Sequence, residues 1–149
     1  VWLISHVVPD HLPRDDDRVA VRELLQAFPR AHAAPQFGSP SEAKSFISGM
    51  DFMTGARMHA CIAAISSGVA VVPLAYSRKF NGLFATLGYP WLADGKAQDT
   101  DQALQTILDG FERREQLAAD ARRSNALAQA RLDVYRDYLA DLFRQCQRA

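Results

Sequence analysis

The chain is short of the residues that carry the commonest functional signatures. It has two cysteines in 149 residues, Cys61 and Cys146, far apart and without paired spacing. A disulfide framework and a thiolate metal site are therefore not expected, and a reducing, cytoplasmic setting is the simpler expectation. No set of His, Cys and carboxylate residues has zinc-like spacing. There is no G-x-G-x-x-G turn and no phosphate-loop lysine motif. Apolar runs long enough to span a bilayer are missing, as is a signal-peptide pattern. Charge of one sign is missing too. Seventeen basic and seventeen acidic residues give a formal net charge of zero, which argues against a general nucleic-acid surface but leaves room for a local anion site. From Asp99 to Ala149 there is no proline and a single glycine, Gly110.

What remains is ordinary for a globular protein: 48% hydrophobic and 23% charged residues. The length suits one domain with a sizeable core. Val1–Val8 reads as a buried strand and Pro9–Pro13 as a loop. Asp15, Asp16 and Asp17 open a helix carrying Val19, Val21, Leu24, Leu25 and Phe28, which Pro29 stops. Ala31–Phe37 reads as a weak strand. Ser39, Pro40 and Glu42 form a capping-box pattern for a helix ending near Gly49. The following units are a strand at Asp51–Thr54, a helix at Arg57–Ser67, a strand at Val69–Ala75, a helix at Arg78–Leu87 stopped by Gly88, and a short strand at Pro90–Ala93. Alternation of this kind predicts an α/β, Rossmann-like, doubly wound parallel sheet over residues 1–98. Residues 99–149 read as a helical C-terminal extension. Its apolar stripe is Leu117, Ala121, Leu127, Leu132, Tyr135, Leu139, Leu142 and Phe143. Its arginines alternate with acids, as on a solvated face; packing against another domain or a second copy is the sharper alternative.

The most informative stretch is Asp51–Lys79. Arg57 and His59 fall at a helix start just after Gly55, and Arg78 and Lys79 fall just after the next strand. Both cationic pairs then lie beyond the carboxyl ends of parallel strands, where open α/β sheets bind ligands. Free N–H groups at a helix start already favour an anion. Arg57 can grip a phosphate or carboxylate bidentately; its bland alternative is a pairing with Asp51. His59 can flank the same ligand; otherwise it is a histidine bonded to a backbone carbonyl. Lys79 sits where the helix dipole disfavours a cation, which favours a functional reason. Arg78 reads as structural. His6, near the carboxyl end of the first strand, either reaches the same cleft or is a satisfied histidine at a strand end. His11 and His32 carry no pattern. Cys61 reads as a small packed hydrophobe. Ser66–Ser67–Gly68 reads as a helix end on a left-handed glycine and not as a nucleophile.

Asp51, Gly55, Arg57, His59, Gly68, Pro73, Tyr76, Lys79 and Phe80, in this order, resemble the polysaccharide pyruvyl transferase family. The resemblance runs from Ser39–Lys44 to Leu87–Gly88, about a third of the chain. It implies the second half of a two-domain, GT-B-like protein with the site in a cleft between halves. The chain also opens on Val1–Trp2–Leu3–Ile4, inside a strand-like run and without an initiator methionine, which fits a fragment lacking an N-terminal domain. The implied chemistry is transfer of a pyruvyl group from phosphoenolpyruvate to two hydroxyls of a sugar, as in exopolysaccharide biosynthesis, with no cofactor. The resemblance implies His59 as the catalytic or donor-binding residue; placement at the strand ends puts Arg57, Lys79, Gly55 and His6 on the substrate, with the absent domain or a second copy as the expected partner. A GT-B glycosyltransferase using a nucleotide sugar, and a non-catalytic binding or assembly domain, are the alternatives. The first would need a carboxylate for the ribose, and none stands out after the Arg57 helix.

Overall fold

Five short strands and six helices alternate along the described residues. The computed structural model describes residues 1–9 and 16–147; His11, Asp15 and most of the Pro9–Pro13 loop lie outside them. The elements in order are β1 (Trp2–Leu3), α1 (Asp17–Ala27), β2 (His32–Ala33), α2 (Pro40–Ser48), β3 (Phe52–Gly55), α3 (Met58–Ser66), β4 (Ala70–Ala75), α4 (Arg78–Thr86), β5 (Ala93–Asp94), α5 (Thr100–Glu112) and α6 (Arg114–Cys146). The chain packs as two units, Val1–Phe46 and Ile47–Ala149.

In the first unit β1 and β2 pair in parallel, with Trp2 opposite His32 and Leu3 opposite Ala33. The expected strand over Val1–Val8 is thus cut to two residues. Beyond Leu3 the backbone serves the start of α1 instead: the His6 and Val7 amides donate to Asp17 Oδ2 (3.0 and 2.8 Å), and the Asp17 amide donates to the Val7 carbonyl (2.9 Å). Groups spent on a helix start cannot extend a ladder. Asp16 caps α1 by accepting from the Arg18 amide (2.9 Å). The Arg18 guanidinium, hydrogen-bonded to the Asp16 carboxylate, holds that carboxyl below its usual range. No residue of α1 is buried, and Leu24 and Phe28 of its apolar set stand exposed. The predicted strand over Ala31–Phe37 is likewise two residues long. Trp2, His32, Phe46 and Phe37 form a ring cluster beside it.

The capping box at Ser39 is split. The Glu42 amide donates to Ser39 Oγ (3.2 Å), but the Glu42 carboxylate reaches one residue further back, to the Gly38 amide (2.8 Å).

The second unit holds a three-stranded parallel sheet in the order β3-β4-β5. The fold is therefore α/β and all-parallel as expected, compatible with a Rossmann-like fold. Its strands are divided between two sheets, however, because β1 and β2 pair only with each other. β4 is the central strand and the most buried. Ala70, Val72 and Leu74 point to one face and pack with Leu117, Ala103, Ile107 and Ala118 of α5 and α6. Val71, Pro73 and Ala75 point to the other.

Two details shape the β5 edge. Strand pairing there begins only at Leu74↔Ala93, later than the predicted Pro90–Ala93 strand. Pro90 has no amide to give, and Trp91 turns its indole N–H to Asp120 (2.7 Å). Lower down, the buried Tyr89 hydroxyl replaces the missing strand: it accepts from the Val71 amide (3.3 Å) and donates to the Val71 carbonyl (2.7 Å).

Gly68 and Gly88 end α3 and α4 in the left-handed region, at φ 73° and 64°. The C-terminal segment is helical, as read. Of its apolar stripe, Leu117 and Ala121 are buried, whereas Leu127, Leu132, Tyr135, Leu142 and Phe143 are exposed. Only the first turns of α6 have a sheet to pack against.

Candidate functional site

β3 and β4 are neighbours in register, Gly55 opposite Pro73. Each runs directly into a helix, so α3 and α4 both start at the carboxyl edge of one sheet. This is where the sequence reading put its cations. Arg57 is the N-cap of α3 and His59 lies in the first turn; Ser77 is the N-cap of α4, followed by Arg78 and Lys79. Arg57 is half-buried, while His59, Arg78 and Lys79 are exposed.

The α3 and α4 starts differ from those of α1, α2 and α5, and share the lack of a side-chain cap with α6. α1, α2 and α5 have side-chain acceptors at their first turns: Asp16, Ser39, and Asp99 in a complete capping box with Gln102. α3 and α4 have no side-chain cap. At α4 the Phe80 amide turns back to the Ser77 carbonyl (3.1 Å); a helix start without a side-chain acceptor suits an anion by charge and by geometry.

The supports beneath this edge are visible. Thr54 Oγ1 donates to the Val72 carbonyl (2.8 Å), clasping β3 to β4 just before both turns. Cys61, one turn into α3, is buried and its thiol donates to the Gly55 carbonyl (3.3 Å). Burial pushes that thiol up to about 12, so it stays a neutral packing group, as the sequence suggested. Gly55 does not adopt a left-handed conformation. A Cβ there would meet only Met53 Cε at 3.8 Å, an ordinary contact.

Gly55, Arg57, His59 and Lys79 thus share one edge of one sheet. His6 belongs to the other unit, half-buried, with its backbone tied to Asp17. The sequence reading gave no part to Asp94, which stands at the carboxyl end of β5 on this same edge. Its Oδ2 accepts from Asn81 Nδ2 on α4 (2.9 Å), and its Oδ1 accepts from the Lys96 amide (2.9 Å) and the Ala97 amide (3.3 Å). The Lys96 amide first, then Asn81, and more weakly the Ala97 amide, lower its pKa. Asp94 fixes the first turn of α4, which carries Lys79. The Asp94–Gly95 turn dipeptide was its available signal.

Among the described residues no cluster of His, Cys, Asp and Glu is arranged to hold a metal, and no helix is long and apolar enough to cross a membrane. A depression of about 490 Å³ lies at the opposite, amino end of the sheet, lined by Asp51, Ser67, Gly68, Arg114 and Glu115 among others.

The fold is a parallel α/β arrangement with two helix starts at one sheet edge. The chain belongs to the polysaccharide pyruvyl transferase family, whose model matches residues 2–78, just over half of its length. That is a family of transferases named for polysaccharide substrates. The match takes in His6, Gly55, Arg57 and His59 and stops at Arg78, one residue before Lys79. No curated protein and no solved structure matches the chain.

Proposed function

We propose that the protein transfers a pyruvyl group from phosphoenolpyruvate to two hydroxyls of a sugar in a polysaccharide or its precursor, forming a cyclic ketal and releasing phosphate. The observation that carries this reading is the pair of uncapped helix starts on adjacent parallel strands, bearing Arg57, His59 and Lys79. Phosphoenolpyruvate brings a phosphate and a carboxylate, and a site for it needs several cations and amide donors on one side.

The reaction divides among these groups as follows. An acid gives a proton to the methylene carbon of the enol, and C2 becomes electrophilic; His59 is the residue proposed for this step. One sugar hydroxyl adds to C2 and loses its proton. The C2–O bond to phosphate then breaks, and the phosphate leaves with the bonding pair, stabilised by Lys79 and the α4 amides. The second hydroxyl adds to C2, and its proton is lost. Of the two hydroxyl protons, one balances the proton taken up by the methyl group and the other leaves on the phosphate. Arg57 grips the donor carboxylate, and no cofactor is required. His6, Gly55 and a GT-B-like partner half that completes the cleft belong to the same proposal.

Titration calorimetry with phosphoenolpyruvate tests it, with UDP and GDP as competitors. Arg57→Ala is expected to weaken donor binding about tenfold or more, the loss of a charge-assisted hydrogen-bond pair. His59→Ala is expected to lower phosphate release more than donor affinity. Tight nucleotide binding without a phosphoenolpyruvate response would replace this reading with a nucleotide-sugar glycosyltransferase.

A further inference from the structure

Tyr76 is the residue between the last residue of β4 and the N-cap of α4, so it stands at the carboxyl edge of the sheet, directly before the α4 start. It is 56% exposed, whereas Phe80, on which its ring rests, is 1% exposed. The Tyr76–Phe80 centroids are 5.5 Å apart, Phe80–Phe84 5.9 Å and Phe84–Tyr89 6.2 Å. Tyr89 at the inner end is locked by its two hydrogen bonds to the Val71 backbone. Four rings therefore form a ladder from the core of the sheet to its carboxyl edge, and Tyr76 is the exposed top.

A lone exposed tyrosine on a surface is ordinary. One fixed from below by a buried ring, at the carboxyl end of the central strand, is placed to receive a ligand. An aromatic ring held this way offers broad apolar contact at little conformational cost, with a hydroxyl at its rim. Arg57 and Lys79 recognise charge, and a neutral sugar gives them none. A pyranose instead presents a face of C–H bonds, which packs on an aromatic ring while its hydroxyls stay free for polar contacts and for reaction.

We infer that Tyr76 is the platform for the acceptor: its ring stacks on the C–H face of a neutral pyranose and so determines acceptor specificity, beside the anion held by the helix starts. This rests on the pyruvyl-transfer reading for the sense of "acceptor", but the contact is testable apart from it.

Saturation-transfer NMR on the full chain, with methyl glycosides of glucose, galactose, mannose and their N-acetylamino forms, and separately with phosphoenolpyruvate, reads both halves of the site. At least one pyranoside is expected to receive saturation on its ring C–H protons. Tyr76→Ala is expected to weaken that binding about tenfold, Tyr76→Phe to keep it, and neither to change phosphoenolpyruvate binding. Pyranoside contact unchanged in Tyr76→Ala, or absent for every glycoside with the wild type, overturns the platform. Sugar contact that follows Tyr76 while phosphoenolpyruvate fails to bind leaves the platform standing and sinks the donor reading. Donor binding lost in Arg57→Ala, with sugar contact indifferent to Tyr76, does the reverse.

Discussion

At the scale of the residue, two buried acids with the same physics bind the fold to pH. The Cys61 thiol is pushed up from 9.0 to about 12, and the Tyr89 hydroxyl from 10.0 to about 12, both mainly by burial. Each is neutral in the folded chain at a pH where its unfolded counterpart ionises. Their contribution is fully present below about pH 9 and is lost as pH rises toward 12. Urea midpoints are expected to hold steady up to pH 9 and fall beyond it, with a shallower fall in Cys61→Ala; an identical fall in that variant would remove Cys61 from the account. The same burial makes Cys61 inert to thiol reagents, while Cys146 is exposed. Dithionitrobenzoate should therefore find one thiol in the native protein and two after denaturation. Arg57, His59, Gly55 and Lys79 were legible from the sequence because helix punctuation sat beside charge. Asp94 was not, because its partner Asn81 is thirteen residues away and meets it only through folding.

At the scale of the element, glycine shows what packing adds to propensity. Gly110 lies within α5, where glycine is normally a cost. A Cβ there would fall inside Val72 Cγ2 and close on Leu117 Cδ2 at 3.4 Å. Gly82 lies within α4 with nothing inside 4 Å of the same atom. Gly110→Ala is expected to destabilise by about 1–3 kcal/mol through overpacking. Gly82→Ala is expected to stabilise by about 0.5–1 kcal/mol through helix propensity alone. Paired denaturant melts check both, and effects of equal sign would refute the contrast. The run from β3 to α4 was readable because each element ends on its own signal: Gly55 before α3, Gly68 after it, Gly88 after α4. β1, β2 and β5 are shorter than their apolar runs suggest: the His6 and Val7 amides beyond β1 go to Asp17, and the Val71 amide of β4, beside β5, goes to the Tyr89 hydroxyl.

At the scale of the whole molecule, α6 joins a packed region to an unpacked one. Its 33 residues carry one apolar stripe from Leu117 to Phe143, but burial stops after Ser124. The outer turns keep their helix through backbone bonds and i,i+3 ion pairs such as Asp133–Arg136 and Asp141–Arg144. Pairs this exposed contribute little. Hydrogen exchange is expected to be slow for amides between residues 117 and 124 and fast beyond residue 132. Uniform protection along α6 would mean that something covers the outer stripe in solution.

The sequence by itself determined the alternation of parallel strands and helices, the glycine stops, and the cations at two helix starts, because each of these is written in contiguous residues. It took the packed structure to show that the two starts share one edge, that neither has a side-chain cap, and that Tyr76 is held at that edge by three rings behind it. Those facts depend on the registry of β3 with β4 and on contacts between residues distant in the chain. No local pattern encodes such relations; the packing of the sheet does.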